Sequence, residues 1–275
     1  MQDCVIGCLT GYGWEEVRVW ARSLAASGFD GRRVALVREV TQDCIQRLLA
    51  LGFEVADLTQ PLAPVAPHVE RFTRLRRYLS QRRAQGVHFR WVVATDVRDL
   101  CFQRDPLVYL MRFEEPRLVL SLEGLRYAEA EWNAGNLVAA FGEEALLMLH
   151  DAAPSNVGVL AGGHRTIEGL ALLIEQLARG ARTQVSDQAA LNLLVEGFAG
   201  ALAAHRAGPA EPWACQAGVM ADPRRIARNR PHLIGPEPVF RDGTVLTASG
   251  QPFAIVHQYD RVPAWHAAIT ARFAQ

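Results

Sequence analysis

Two carboxylates three residues apart close an apolar run in mid-chain: Phe89-Arg90-Trp91-Val92-Val93-Ala94-Thr95 leads into Asp96-Val97-Arg98-Asp99. Val92, Val93 and Ala94 show no polar alternation, which predicts a strand covered on both faces, as in an α/β sheet. Ligands of such sheets sit beyond the carboxyl ends of the strands, where Asp96 and Asp99 stand. Two carboxylates held close disfavour each other's charge unless a cation is shared between them. Their hard oxygens suit Mg2+ or Mn2+, which in turn suit phosphate oxygens. The same residues also fit a plainer role, an aspartate capping the next helix or a solvated turn. The stretch alone leaves both readings open.

The elements that must position this turn follow from hydrophobic periodicity. Cys4 to Leu9 is a short apolar run ending at Thr10-Gly11-Tyr12-Gly13. A strand, a glycine-bearing turn and a helix form the usual start of a nucleotide-binding α/β unit. A full Gly-x-Gly-x-x-Gly is missing, so a dinucleotide cofactor is not indicated. Val17, Trp20, Ala21 and Leu24 then share one helical face, ended by Gly28. Val34 to Val37 reads as a second strand. Thr41 is placed to cap a helix burying Cys44, Ile45, Leu48 and Leu49, and Phe53 to Ala56 is a third strand. Pro61, Pro64 and Pro67 interrupt regular structure. His68 to Ala84 returns to helix, with Phe72, Leu75 and Leu79 inward. The alternation β-α-β-α-β-α-β predicts a parallel sheet with helices on both faces.

The second half is less regular. Arg117 to Ser121 is strand-like, Glu123 to Asn136 reads as a polar and aromatic loop over the site, and Phe141 to His150 as a helix. Asn156 to Gly163 is a strand whose glycines allow a ligand or another backbone to approach closely. Thr166 to Arg179 is helical, with Ile167, Leu170, Leu173, Ile174 and Leu177 inward. Ser186 is placed to cap the next helix, whose stripe is Leu191, Leu194 and Val195. Asp187 there favours the positive helix end, its plain structural reading. Residues 200–240 hold six prolines and predict short strands and loops. Thr244–Leu246 and Phe253–Val256 predict a hairpin around Ser249-Gly250, and Pro263 to Phe273 a closing helix.

With 275 residues, half of them hydrophobic, the chain suits a single large domain with a substantial core. Its 29 basic and 29 acidic side chains balance, which argues against a dedicated nucleic-acid binder. Arginines cluster at 71–83 and at 224–230, which suits phosphates, an anionic membrane face or, more commonly, a solvated helix face. Five cysteines without a Cys-x-x-Cys pair argue against a disulfide framework and a thiolate zinc site. The expectation is buried thiols in a reducing compartment. No signal-peptide pattern and no membrane-length apolar run is present, so a cytoplasmic protein is expected, with peripheral membrane contact left open.

Several short motifs, in order, resemble the nucleotide-sugar-dependent glycosyltransferases of the GT-A fold. They are Thr95-Asp96-Val97-Arg98-Asp99 followed by Phe102-Gln103 and Asp105-Pro106; Asn156 to Gly163; Asp187-Gln188 with Asn192; and Val256-His257-Gln258-Tyr259-Asp260-Arg261. The resemblance spans nearly the whole chain. It implies a mixed, mainly parallel central sheet flanked by helices, with residues 1–105 as the nucleotide half. Residues 106–275 would be the acceptor half and carry the metal-binding histidine segment. It further implies a nucleotide-sugar donor, a UDP-sugar first among them, and a glycan or other hydroxyl acceptor. Transfer would be with retention, as is common in the branches with a late metal-binding histidine.

The resemblance also implies residue roles. Asp96 with Val97 would face the ribose or reach the metal through water, and Asp99 would bind it directly. His257, which in isolation reads as a packed histidine, becomes the third metal ligand. Thr10, Gly11 and Tyr12 match the place that holds base and ribose, and Arg71 and Arg74 the helix that reaches the donor phosphates. Asp187 and Gln188 fall beside the sugar's anomeric carbon or hydroxyls. Trp132, Asn133 and Asn136 could form an acceptor platform. Imidazole is unusual for Mg2+ and acceptable to Mn2+, so Mn2+ is favoured. Chemically, charge builds on the departing diphosphate and a divalent cation neutralises it. The chain departs from the fold's usual Asp-x-Asp by one residue. Arg98, the inserted residue, is placed either to touch the diphosphate or to pair with a carboxylate. The competing readings are an α/β phosphohydrolase with Asp96 as nucleophile, which the arginine at position 98 disfavours, and a non-catalytic nucleotide-sugar or glycan-binding module.

Overall fold

The computed structural model describes residues 2–57, 66–197 and 203–274. Pro61 and Pro64 lie outside the described residues. The first half alternates as the periodicity predicts: β1 (Gln2–Thr10), α1 (Trp14–Ala26), β2 (Arg32–Arg38), α2 (Gln42–Ala50), β3 (Glu54–Asp57), α3 (Pro67–Ala84) and β4 (Phe89–Thr95). Next come β5 (Leu100–Phe102), α4 (Leu107–Leu110), β6 (Val119–Leu122), α5 (Glu131–Phe141), α6 (Glu143–Leu149), β7 (Ser155–Gly162), α7 (His164–Gly180), α8 (Asp187–Gly197) and β8 (His205–Ala207). The chain finishes with β9 (Ala214–Gln216), α9 (Ala217–Met220), α10 (Ile226–Asn229), β10 (Val239–Arg241), β11 (Thr244–Leu246), β12 (Ile255–His257) and α11 (Pro263–Arg272).

Seven strands form the central sheet in the order β3-β2-β1-β4-β7-β6-β8. β3, β2, β1 and β4 run parallel; β7 is antiparallel to β4 and β6, and β8 is parallel to β6. The sheet is therefore mixed and mainly parallel, with apolar clusters on both faces. At the start of β1, Asp3 accepts from the guanidinium of Arg90 at 2.6 and 3.0 Å and from the Trp91 amide at 3.0 Å, locking β1 to β4. At the other end Gly7 lets the indole of Trp20 lie against β1. A Cβ at Gly7 would stand 2.6 Å from that ring and 2.5 Å from Val97 Cγ1. From there Trp20 Nε1 donates to Thr95 Oγ1 at 3.0 Å and fixes the last residue of β4, one before Asp96.

A second sheet, β5-β12-β9, stands beyond that end. β12 pairs antiparallel with β5, His257 opposite Leu100, and parallel with β9, His257 beside Gln216. The expected hairpin of 244–246 with 253–256 is present only at its turn end. The chain reverses at Ser249-Gly250, with the Thr247 amide donating to the Gln251 carbonyl at 2.8 Å, the Phe253 amide to the Val245 carbonyl at 3.2 Å, and a bridge from Leu246 to Pro252, while 255–257 leaves to join β5 and β9. β11 also pairs with β10 around Asp242-Gly243, both at positive φ, which is the backbone a two-residue hairpin turn requires. The Gln103 amide holds the three segments together. It donates to the carbonyls of Val245 (2.8 Å) and Phe253 (3.0 Å) and accepts from the Val245 amide (2.7 Å).

Three further expectations are corrected. The loop expected over 123–136 becomes helix from Glu131, because Ala130, Ala134, Leu137 and Phe141 already carry a helical period that the polar Asn133 on the buried face obscures. Leu173 is 42% exposed, since the inward stripe of α7 runs through Ile167, Leu170, Ala171 and Ile174. Ser186 does not cap α8 with its side chain; its hydroxyl donates to the Ala178 carbonyl at 3.3 Å, and Asp187 Oδ1 takes the Gln188 amide at 3.0 Å. Thr41 does cap α2, accepting from the Cys44 amide at 3.3 Å. The five cysteines carry free thiols, four of them buried. No helix among the described residues is long and apolar enough to cross a membrane.

His164 yields a pH prediction. Its Nδ1 accepts from the Phe89 amide at 3.2 Å while Nε2 meets the Leu79 carbonyl at 2.9 Å, a pair only the neutral Nε2–H tautomer satisfies. Burial holds its pKa below the ordinary 6.5. A depressed histidine pKa means that the unfolded chain takes up the proton first. The stabilising contribution is thus complete above pH 6.5 and is lost as pH falls through the folded-state value. The unfolding free energy from urea titration should fall on acidification from pH 7.5 to 5, by at most about 1.4 kcal/mol per pH unit from this residue. In His164→Gln the same titration should be shallower.

Candidate active site

The chain crosses from β4 into β5 through the Asp96–Asp99 turn, and the β5–β12 register brings the C-terminal histidine to it. Oxygen atoms of Asp96 and Asp99 and a ring nitrogen of His257 all lie within 4.8 Å of one another. His257 Nε2 is 3.5 Å from Asp96 Oδ2 and 3.5 Å from Asp99 Oδ1. Backbone links hold the turn: the Asp96 amide donates to the Gly158 carbonyl at 2.8 Å, and the Gln258 amide to the Asp99 carbonyl at 2.7 Å. Asp99 and His257 are buried and Asp96 is half-buried. Burial opposes the charge on Asp99, but His257 and then Arg98 outweigh it and hold its carboxyl down to about 2.

Behind the ring, His257 Nδ1 lies 2.9 Å from Gln216 Oε1, and Gln216 Nε2 donates to Ser121 Oγ at 2.6 Å. With Nδ1–H so engaged, Nε2 is the ring atom that faces the two carboxylates and is placed to ligate a metal. Gly158 completes the cradle. A Cβ there would stand 2.8 Å from Asp96 Oδ2, 2.9 Å from Asn156 Oδ1 and closer still to His257 Cε1. Two carboxylates and an imidazole packed over a bare backbone fit a small divalent cation. Replacing Gln216 with methionine should weaken Mn2+ binding about 10–100-fold, the usual effect of losing an outer-shell partner, read by electron paramagnetic resonance of free Mn2+.

A cavity of about 270 Å³ opens beside this cluster at the carboxyl ends of β1 and β4. Thr10, Tyr12, Arg71, Asp96, Val97 and Asp99 line it. Gly11 is exposed in the turn between Thr10 and Tyr12. Val97 borders the cavity but is buried in the apolar core. Arg71 ion-pairs with Asp96 and, at 2.8 Å, with Asp187, so the first residue of α8 joins the same group. Arg74, one turn on, does not line the cavity. It is 2% exposed, bound to Glu70 at 2.6 and 2.9 Å and close to the Val37 carbonyl. The expectation that Arg74 reaches donor phosphates is therefore corrected: its helix position turns it toward β2. Arg98 is half-exposed, lines the cavity as well, and pairs loosely with Asp99 (3.8 Å) and Asp260 (3.9 Å).

Gln188 faces a buried polar network that the sequence reading did not foresee. Its centre is Glu123, 4% exposed. Glu123 accepts from Asn133 Nδ2 (2.6 Å), Asn156 Nδ2 (2.8 Å) and Gln188 Nε2 (3.0 Å). Gln188 Nε2 also reaches Asn133 Oδ1 at 2.6 Å, and its Oε1 takes the Val157 amide at 3.2 Å. Asn192 anchors α8 to β7 by accepting from the Ser155 amide at 2.7 Å and donating to its carbonyl at 2.9 Å. A lone glutamate after a strand carries no pattern; only the amides at 133, 156 and 188 hinted at a shared partner.

Two solved structures align over nearly the whole chain. One is galactosyltransferase LgtC in complex with donor and acceptor sugar analogs, with 17% identity and a TM-score of 0.57 over 98% of this chain and 94% of that one. The chain has the GT-A fold. The second is an LgtC active-site mutant carrying glutamate in place of a glutamine, with 16% identity and a TM-score of 0.57 over 98% of this chain and 95% of that one. At this identity the fold is what is shared. No protein-family model matches the sequence and no curated protein is similar to it. On the GT-A frame of this chain, Asp96, Asp99, His257, Arg71 and Asp187 form one connected group, with Gln188 next to it in the Glu123 network.

Proposed function

We propose that the protein is a metal-dependent glycosyltransferase that moves a sugar, with retention, from a nucleotide-sugar donor to a glycan or other hydroxyl acceptor. A UDP-sugar is the first donor to test. The observation that carries this reading is the meeting of Asp96 and Asp99 with His257, remote from them in sequence, within 4.8 Å beside the 270 Å³ cavity that the two carboxylates line. These three would hold Mn2+, or Mg2+, which when bound neutralises charge on the departing diphosphate. Residues 1–105 would bind the nucleotide, with Thr10, Gly11 and Tyr12 at the base and ribose and Asp96-Val97 bordering the ribose. Residues 106–275 would supply the acceptor side and His257.

Arg71 lies between Asp96 and Asp187 on the cavity wall and would meet donor phosphate there. Asp187 would take sugar hydroxyls or offset positive charge at the anomeric carbon. Gln188, fixed at both ends of its amide, would orient the sugar rather than move a proton. The test is incubation with Mn2+ and a panel of nucleotide sugars, following nucleoside diphosphate release, with the product anomer read by NMR. Release that stops on chelation supports the proposal. Hydrolysis of simple phosphate monoesters instead, or donor binding without turnover in the presence of every acceptor tried, would overturn it.

A further inference from the structure

A second cleft, of about 530 Å³, runs between α5 and the segment 219–229. Trp132 stands on its wall, 53% exposed at the start of α5. The other five tryptophans are all buried, at 8% exposure or less, so an open indole here is an exception to how this chain uses the residue. Glu129 lines the same cleft, and its Oε2 is buried with no hydrogen-bond partner among the described residues. A buried carboxylate oxygen left unpaired is unfavourable until a ligand hydroxyl donates to it. Asn136 adds an amide from the next turn of the helix.

Of the arginines lining the cleft, Arg228 pairs with Glu131 at 2.9 Å and Arg225 lies 4.0 Å from Asp222, a carboxylate that Arg224 also holds at 3.0 Å. Both guanidinium groups thus already have a carboxylate beside them. An aromatic face, an unpaired acceptor and amides suit a neutral ligand with an apolar ring face and many hydroxyls, the chemistry of a sugar. One side chain links the cleft to the network beside the candidate active site. Asn133, on the cleft floor, holds Gln188 Nε2 at 2.6 Å and Glu123 at 2.6 Å.

We propose that this cleft is a distal subsite for an uncharged sugar unit of the acceptor, stacked on Trp132 with a hydroxyl donated to Glu129. The inference rests on the glycosyltransferase reading and narrows it: the acceptor is a neutral glycan of at least two units, one at Gln188 and one at Trp132. The test uses the full chain labelled with 15N-tryptophan. Loss of one indole signal in Trp132→Phe assigns Trp132. Mono-, di- and trisaccharides of glucose, galactose and mannose are then titrated without donor or metal. The Trp132 indole should shift saturably with disaccharides or trisaccharides, and bind monosaccharides about tenfold more weakly, the loss of one good contact. Glu129→Gln should weaken the best ligand by a similar factor, and the exposed position of Trp132 keeps Trp132→Ala folded as a second check. An indole unmoved by every sugar, moved as strongly by monosaccharides, or moved only by inorganic phosphate overturns the proposal. Nucleoside diphosphate release from the donor panel with Mn2+, followed separately, tests the glycosyltransferase reading: sugar binding with no release from any donor keeps a glycan cleft and removes the transferase, and release without sugar binding keeps the transferase and removes the cleft.

Discussion

Asp99→Asn should lower Mn2+-dependent donor turnover by about 10²–10³-fold, or about 3–4 kcal/mol of transition-state stabilisation, while the protein stays folded. The substitution keeps size and an oxygen but removes the charge. Asp99 is the buried carboxylate of the cluster, 8% exposed, and is held ionised with a pKa of about 2. Asp96 is more exposed and already shares its carboxylate with Arg71, so it replaces little of what Asp99 supplies. Mn2+ affinity, read by electron paramagnetic resonance, should fall in parallel with turnover. The urea midpoint separates this from unfolding. Unchanged Mn2+ binding in a folded Asp99→Asn protein would remove Asp99 from the metal site.

The Asp96–Asp99 turn was legible because its chemistry is local: an apolar strand, then carboxylates at a carboxyl end. The parallel half of the sheet was equally legible, since β1, β2 and β3 are each followed by a helix with its own apolar stripe. His257 was not legible on local grounds. Its neighbours Val256 and Tyr259 are core residues, and only pairing of β12 with β5 and β9 shows that its ring points at the carboxylates. The pairing with β5 joins residues more than 150 positions apart, and no periodicity reports such a register. The helix positions of Arg71 and Arg74 looked equivalent in sequence, yet three residues of helix turn one toward the cavity and the other toward Glu70 and β2. The Glu123 network escaped for a related reason. Its members come from the end of β6, from α5, from β7 and from α8, and each has an ordinary explanation when taken alone.

The same reasoning makes Gly158 the position where the smallest chemical change should have the largest structural reach. Gly158→Ala adds one methyl group, toward atoms that have little freedom to retreat. His257 is tied through Nδ1 to Gln216 and by backbone pairing to two strands. Asn156 is held by Glu123 and by the Gly158 amide. Asp96 is bound by Arg71, and its own amide is bonded to the Gly158 carbonyl. The methyl must therefore spread Asp96 from His257 or push β7 from the turn. A displacement near 1 Å at a reacting centre is worth about 10²-fold in rate, and overpacking a tight site destabilises by about 1–3 kcal/mol. We expect Gly158→Ala to lose turnover and Mn2+ affinity about 10²-fold, with a lower urea midpoint. Gly162→Ala, on the same strand, provides the control. Its Cβ would press on the flexible end of Ile167, at 3.1 Å, and touch the Arg117 carbonyl at an ordinary 3.6 Å, so it should shift stability and leave Mn2+ affinity where it was. If both alanines lower stability equally and neither weakens Mn2+ binding, the bare backbone at 158 serves packing alone and the cradle it forms is not a cation site.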